Sequence, residues 1–250
     1  MFRMLRLKPP QSWNAVAWEL GIVTLGVLIA LAAQQWADQR GAEARTRLAL
    51  VGIRDELANH YRSSIEWRVV EPCIIAQIDQ LTARVLKSGA TLDPAPIERE
   101  GDNFHFVLRT PSKEYPRSSW DAATNEGLVA RLDPTLRNEL NALYAQIDEL
   151  NAMGRNSQSD TLGLNELGQP LPLDPATRYA MIRQLQDIRG RAEYRDTISG
   201  QLISHMQSVH MLPPIEQARA LTERFGTFKY CKVHGLPLRS FAAAMKAIPN

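Results

Sequence analysis

From Leu20 to Ala33 the chain carries fourteen uncharged residues, nearly all apolar. Ala15-Val16-Ala17-Trp18 lengthens the run, with Glu19 as its one charge. Trp18 and Trp36 bracket it, eighteen residues apart, which at the helical rise of about 1.5 Å is roughly 27 Å. A bilayer's hydrocarbon core is about 30 Å thick and Trp favours its edges. The pattern predicts one transmembrane helix over 13–36, with Trp18 and Trp36 as interface anchors. The rival reading is a secretory signal peptide, because Ala30-Leu31-Ala32 resembles a cleavage site. Three features favour a retained anchor: the length of the apolar run, the charge at Glu19 on its approach, and Trp36 on its far side.

After the span a three-and-four spacing of apolar residues takes over. It runs from Leu50 and Ile53 through Trp67 to Ile78, Leu81 and Val85, interrupted by His60, Ser64 and Glu71. This predicts a long helix over 38–87, or two joined at Pro72, where a missing backbone donor should kink or break it. The seam could extend a dimer as a coiled coil, but its polar positions favour packing within the chain's own domain. Residues 89–118, punctuated by Pro94, Pro96, Pro111 and Pro116, read as a structured loop. Helices follow over about 119–131, capped by Ser118 or Ser119, and over 134–153, where Leu136, Leu140, Leu143, Ile147 and Leu150 keep a strict heptad. Residues 154–173 read as a polar linker. Further helices are expected over 175–212, 214–225 and 238–247, with Pro213-Pro214 stopping the first of these. Asp133-Pro134 and Asp174-Pro175 each pair a capping side chain with proline at the first helical position. The expected fold is all-α: one N-terminal transmembrane helix continuing into a long helix, then an antiparallel helical bundle.

Charge supplies a direction. The net +2 of the 250-residue chain sits in residues 1–37, where Arg3, Arg6 and Lys8 face only Glu19. The remaining 213 residues are neutral, which leaves no basic face suited to nucleic acid. Basic residues flanking a span tend to stay in the cytoplasm. Residues 1–12 are thus expected as a cytoplasmic tail and 37–250 as a periplasmic domain of a bacterial inner-membrane protein, although Arg40, Arg45 and Arg47 on the far side weaken the asymmetry. Two cysteines, Cys73 and Cys231, stand far apart. An exported domain allows a disulfide between them; two unpaired, partly buried thiols are the plainer alternative.

Two segments carry a resemblance. Glu19-Leu20-x-x-Val23-x-x-Gly26-Val27-Leu28-Ile29-Ala30-Leu31 followed by Trp36 is one. Ser119-Trp120, Gly127-Leu128, Leu136-Arg137-x-x-Leu140 and Leu143-Tyr144, in that order, make the other. Together they resemble an uncharacterised family of bacterial single-pass membrane proteins, over residues 13–150. The resemblance implies an anchor and a helical domain, and carries no activity and no functional residue. This chain departs from it after Trp36, where an Asn-rich turn is expected of the family.

Candidate chemistry is sparse. Glu19, Gly26, Ala30 and Ala33 fall on one face of the span, and Gly26-x-x-x-Ala30 is a small-xxx-small pair that lets two helices approach closely. This face is the proposed packing surface for a second transmembrane helix, most simply another copy of the chain. His205 and His210 diverge on a helix, and His60, His105 and His234 lack ligand-spaced partners, so no metal and no cofactor is expected. No nucleophile elbow, Ser-x-x-Lys motif or phosphate loop occurs. Trp67, Trp120, Tyr144 and Tyr179 read as core rather than as a pocket lining. The expected role is a non-enzymatic scaffold, accessory subunit or sensor. The alternatives are a membrane-anchored hydrolase with a spatially assembled site, and a cleaved periplasmic binding protein. Convergent titratable groups in a pocket would favour the enzyme; a long exposed apolar helix face would favour the interaction protein.

Overall fold

The computed structural model describes residues 13–100, 104–213 and 215–246, so the tail at 1–12 and the stop expected at Pro214 lie outside the described residues. The architecture is all-α, and its axis is one helix, α1, running unbroken from Trp13 to Lys87. Its apolar N-terminal stretch is long enough to cross a membrane, and none of it is buried. Leu20, Ile22, Val23, Leu25, Leu28, Ile29 and Leu31 are all exposed. The same helix then becomes the centre of the domain. All eight residues from Ser64 to Glu71 are buried, more than two full turns, so other elements surround α1 on every side there. The heptad positions from Ile53 to Val85 are buried within the chain's own domain, each large aliphatic among them contributing roughly 2 kcal/mol by burial.

Pro72 neither breaks α1 nor ends it. A proline deprives the preceding turn's carbonyls of their partners. The carbonyl it deprives is that of Arg68; one residue on, the backbone N–H of Arg239 donates to the Val69 oxygen at 2.9 Å and ties the C-terminal segment to α1 beside the proline. The far end of α1 is closed by a single side chain. The Arg178 guanidinium donates to the oxygens of Val85, Leu86, Ser88 and Gly89, four carbonyls that the end of a helix leaves without intrahelical donors.

The segment 89–118 is not wholly irregular. Within the expected loop, Glu98–Glu100 (β1) pairs antiparallel with Phe104–Phe106 (β2), a hairpin the proline punctuation did not reveal. Gly168 lies beneath this hairpin, where a Cβ would collide with Ile97. Helix α2 covers Ser118–Asn125 and gives way to Gly127 at φ +69° and a 3-10 turn over Val129–Arg131, so the expected 119–131 helix is shorter. Neither Ser118 nor Ser119 caps it. The Glu56 carboxylate of α1 accepts from the Ser119 N–H at 2.8 Å and from the Ser118 hydroxyl at 3.2 Å, so a side chain from another helix does the capping.

Helix α3 spans Pro134–Gly163, ten residues beyond the expected end, and a 3-10 turn over Leu164–Gly168 follows. The polar stretch after Met153 is the solvated end of a helix rather than a linker, and it is fixed by buried Leu164 and Leu167. Helix α4 covers Pro175–Ser208 and ends before Leu212. Both Asp-Pro starts close as their spacing predicts: Asp133 accepts from Thr135 and Leu136, and Asp174 from Thr177. Glu139 meets His205 and Glu149 meets Tyr194, early residues of α3 against late ones of α4, so these helices are antiparallel. Arg68 meets Asp196 and Asp79 meets Arg189, which sets α4 antiparallel to α1 as well. Helices α5 (Ile215–Thr222), α6 (Gly226–Val233) and α7 (Phe241–Ala244) complete the described residues. Each packs on α1. The pattern offered two helices after α4; α6 was hidden because it is short and follows α5 without a strong breaker.

Cys73 and Cys231 form a disulfide, with Cα atoms 6.0 Å apart, joining α1 to α6 across 158 residues. Both residues are fully buried. Linear separation had left two thiols as the plainer reading; the fold brings α6 back onto α1. By the chain-entropy argument a loop of this length contributes about 5 kcal/mol. The Cys73→Ser/Cys231→Ser double variant is expected to unfold at a markedly lower urea concentration, and the wild-type chain to take up no alkylating reagent before reduction. Equal urea midpoints for the two proteins would contradict the linkage.

Candidate functional site

The all-round burial of α1 forces its mid-helix charges to find partners, and they organise the interior. On one flank, the Arg239 guanidinium donates to Asp196 at 2.6 Å and to Glu71 at 2.9 Å. Arg68 lies 3.5 Å from Asp196 and donates to the Lys246 carbonyl at 2.7 Å. Burial, then the Asp196 charge, raises the Glu71 carboxyl above the ordinary carboxylate range, while Arg239 pulls it back. This network joins α1, α4 and the C-terminal segment. Its charges balance.

Nearer the apolar N-terminal stretch of α1, Glu56 accepts from the Tyr144 hydroxyl at 2.6 Å while capping α2. Trp120 stacks on Tyr144 with ring centroids 4.6 Å apart. Burial, then the bond to Glu56, pushes the Tyr144 phenol well up. Trp67, Trp120 and Tyr144 are core, while Tyr179 is exposed. One turn along α1, His60 is buried against Tyr115, and burial lowers its pKa to about 4 although the Glu56 charge opposes the shift.

On the other flank lies a cavity of about 620 Å³, within the usual range of small-molecule sites. Its floor and one wall come from the loop after β2. Two side-chain amides hold that loop by imitating a strand partner. Gln77 of α1 accepts from the Arg109 N–H at 2.8 Å and donates to the Arg109 oxygen at 3.3 Å. Asn151 of α3 accepts from the Tyr115 N–H at 2.9 Å and donates to the Tyr115 oxygen at 2.7 Å. The residues between these clamps, Arg109 to Tyr115, all line the cavity. The loop is therefore fixed at both ends by helices of the core.

Four cations line the space: Arg109, Lys113, Arg155 and Arg195. Lys113 Nζ reaches back 2.8 Å to the buried Glu66 carboxylate of α1. Burial raises the Glu66 carboxyl, while Lys113, Arg195 and Arg109 lower it in turn. Arg195 differs from the rest. It is 3 % exposed, projects from α4, and lays its guanidinium 4.0 Å from the Trp67 ring. It forms no hydrogen bond and no ion pair with the described residues, and its Nε is buried without a partner. Trp67 is held in turn by donation from its Nε1 to the Ala192 oxygen at 3.4 Å.

The residues singled out from sequence are not gathered here. Glu19, Gly26, Ala30 and Ala33 lie on the exposed part of α1, with Gly26 open on its surface and no partner helix present. Trp18 and Trp36 are exposed at either end of that part. The cavity cations went unnoticed because they come from three separate stretches. One signal was legible: Arg195 takes a core position in the α4 spacing, between Ala192 and Ile198. A charge at such a position needs a partner or a task. No group of three His, Cys, Asp or Glu residues able to hold a metal occurs among the described residues. No protein-family model, curated protein or solved structure matches the chain.

The His60 shift has a definite sign. Unfolded His titrates near 6.5, so between pH 6.5 and 4 the unfolded chain binds a proton the folded one refuses, and stability falls as pH falls through that window. The effect amounts to about 3 kcal/mol over the window. Unfolding free energy measured against pH is expected to fall less steeply for His60→Gln than for wild type. Parallel curves would assign the acid sensitivity to other groups.

Proposed function

We propose that this is a single-pass inner-membrane protein whose α-helical domain stands on the periplasmic side and acts, without catalysis, as a sensor or scaffold. One observation carries the reading: the exposed apolar stretch and the buried domain core are parts of one unbroken helix, α1. A flexible tether would only retain the domain near the bilayer. A continuous helix couples the domain's packing to the orientation of the anchor, as a signalling or assembly element requires. The basic residues ahead of the span support an N-terminus inside. The Cys73–Cys231 disulfide supports an oxidising compartment for the domain. The resemblance to uncharacterised single-pass proteins agrees with the anchor and adds no activity.

The cavity bears on the alternatives. Its convergent titratable groups are what a membrane-anchored hydrolase would need, yet four cations face one lining carboxylate, Glu114, and Arg cannot serve as a proton acceptor. That composition favours binding over turnover. It suits a ligand sensor on an anchor, and equally a binding protein released by cleavage after Ala32.

A periplasm-active reporter fused after Asn250, combined with mass spectrometry of the membrane fraction, is expected to give an active fusion on a chain retaining residues up to Trp36. A soluble chain beginning near Ala33 would replace the anchored reading with the released one. The span is further proposed to pair with a second copy through Gly26 and Ala30. Gly26→Leu/Ala30→Leu is expected to cut a membrane two-hybrid signal severalfold, and an unchanged signal would remove self-association through this face.

A further inference from the structure

We propose that the cavity beside α1 binds a soluble amphiphilic anion, a carboxylate or phosphate monoester with an apolar body, its charged head against Arg195. The argument begins with Arg195 itself. A guanidinium that is almost wholly buried gives up its hydration and ordinarily gains hydrogen-bonded acceptors in return. Arg195 has gained two aromatic faces, Trp67 at 4.0 Å and Tyr115 at 6.0 Å, and the attraction of the Glu66 carboxylate, but no hydrogen bond. Those faces position it in the cavity wall and leave its donor edge without an acceptor. Planar guanidinium donors match the two oxygens of a carboxylate or phosphate.

The charge balance around it agrees. Among the described residues, Arg109, Lys113, Arg155 and Arg195 outnumber Glu114 at the lining and Glu66 behind it. Lys113 pairs with Glu66 at 2.8 Å, and Glu66 also feels the Arg195 charge without a hydrogen bond between them. Size and surface restrict the ligand further. A bare phosphate would leave most of 620 Å³ unfilled. Phe106, Leu108, Pro111 and Leu162 provide apolar surface for a hydrocarbon or aromatic body. The clamps from Gln77 and Asn151 fix the loop in advance, which lowers the ordering cost of binding.

Position favours a dissolved ligand over a lipid headgroup. Trp67, under Arg195, lies 31 residues along α1 from Trp36, about 46 Å of helix. Headgroups of the bilayer that Trp36 would mark lie far below the cavity.

The proposal holds whether the anchor is retained or cleaved, so its failure is separate from that of the topology. The test is calorimetric titration of the full chain in zwitterionic lipid nanodiscs with 4-phenylbutyrate, 1-naphthyl phosphate, neutral 4-phenylbutanamide and inorganic phosphate. The two amphiphilic anions are expected to bind at one site per chain. The amide and inorganic phosphate are each expected to bind at least tenfold more weakly. Arg195→Gln should weaken the anions at least tenfold, and Arg195→Lys should recover part of the loss. Should Arg195→Gln fail to fold, Leu162→Trp, at the exposed rim, is expected to exclude the anions by filling the space. Nanodiscs rich in anionic lipid should leave the titration unchanged. Binding of the amide as tight as that of the anions, full binding to Arg195→Gln or to Leu162→Trp, or no saturable binding of either anion would overturn the site. Competition by anionic lipid would overturn the assignment to a soluble ligand.

Discussion

Everything in this domain answers to the burial of α1 between Ser64 and Glu71. A helix surrounded on all sides cannot be amphipathic, and this one carries Glu66, Arg68 and Glu71 into the interior. Each then has to be matched from outside: Glu66 by Lys113, Arg68 by Asp196 and Lys246, Glu71 by Arg239. Those partners lie on the loop after β2, on α4 and at the C-terminal end. The charges of one helix thus fix where three distant segments must come to rest. Removing either member of such a pair would strand the other in a low-dielectric interior, so the arrangement specifies geometry more strictly than an apolar core of equal volume.

The same constraint separates what was legible in the chain from what was not. The long apolar helical stretch, the heptads of α1 and α3 and the two Asp-Pro caps were readable because they are local patterns of spacing. The extension of α3 past Met153 was not, since a solvated helix end and a linker share a polar composition. Glu56 capping α2 could not be read either, because the acceptor lies more than sixty residues upstream of the N–H it satisfies. The disulfide and the cavity cations depend likewise on which helix returns to which face. Pro72 misled for a related reason: the packing that surrounds α1 there, including the Arg239 N–H on the Val69 oxygen, comes from far down the chain.

The two faces of the interior divide the labour of charge. Around Asp196 the positive and negative groups match and bond to one another. Around Arg195 they do not match, and the space is open. A domain with no net charge has in this way set aside a local excess of positive charge within a few ångströms of its central helix. Because that helix also carries the exposed apolar stretch, a change in the packing around Trp67 has a direct mechanical route toward that stretch.

The order of the elements has a consequence for how the chain comes to be folded. The central helix is made first, and nearly everything that covers it is made later: α4 begins about a hundred residues after Trp67, and Cys231 follows Cys73 by 158. During synthesis, α1 therefore stands with its apolar positions and its charges unpartnered until the last helices arrive. Contacts between such distant segments form slowly and leave exposed surface open to misassembly. The cell that makes this protein thus meets its hardest folding problem in the interval between the emergence of α1 and the closure of α6 upon it.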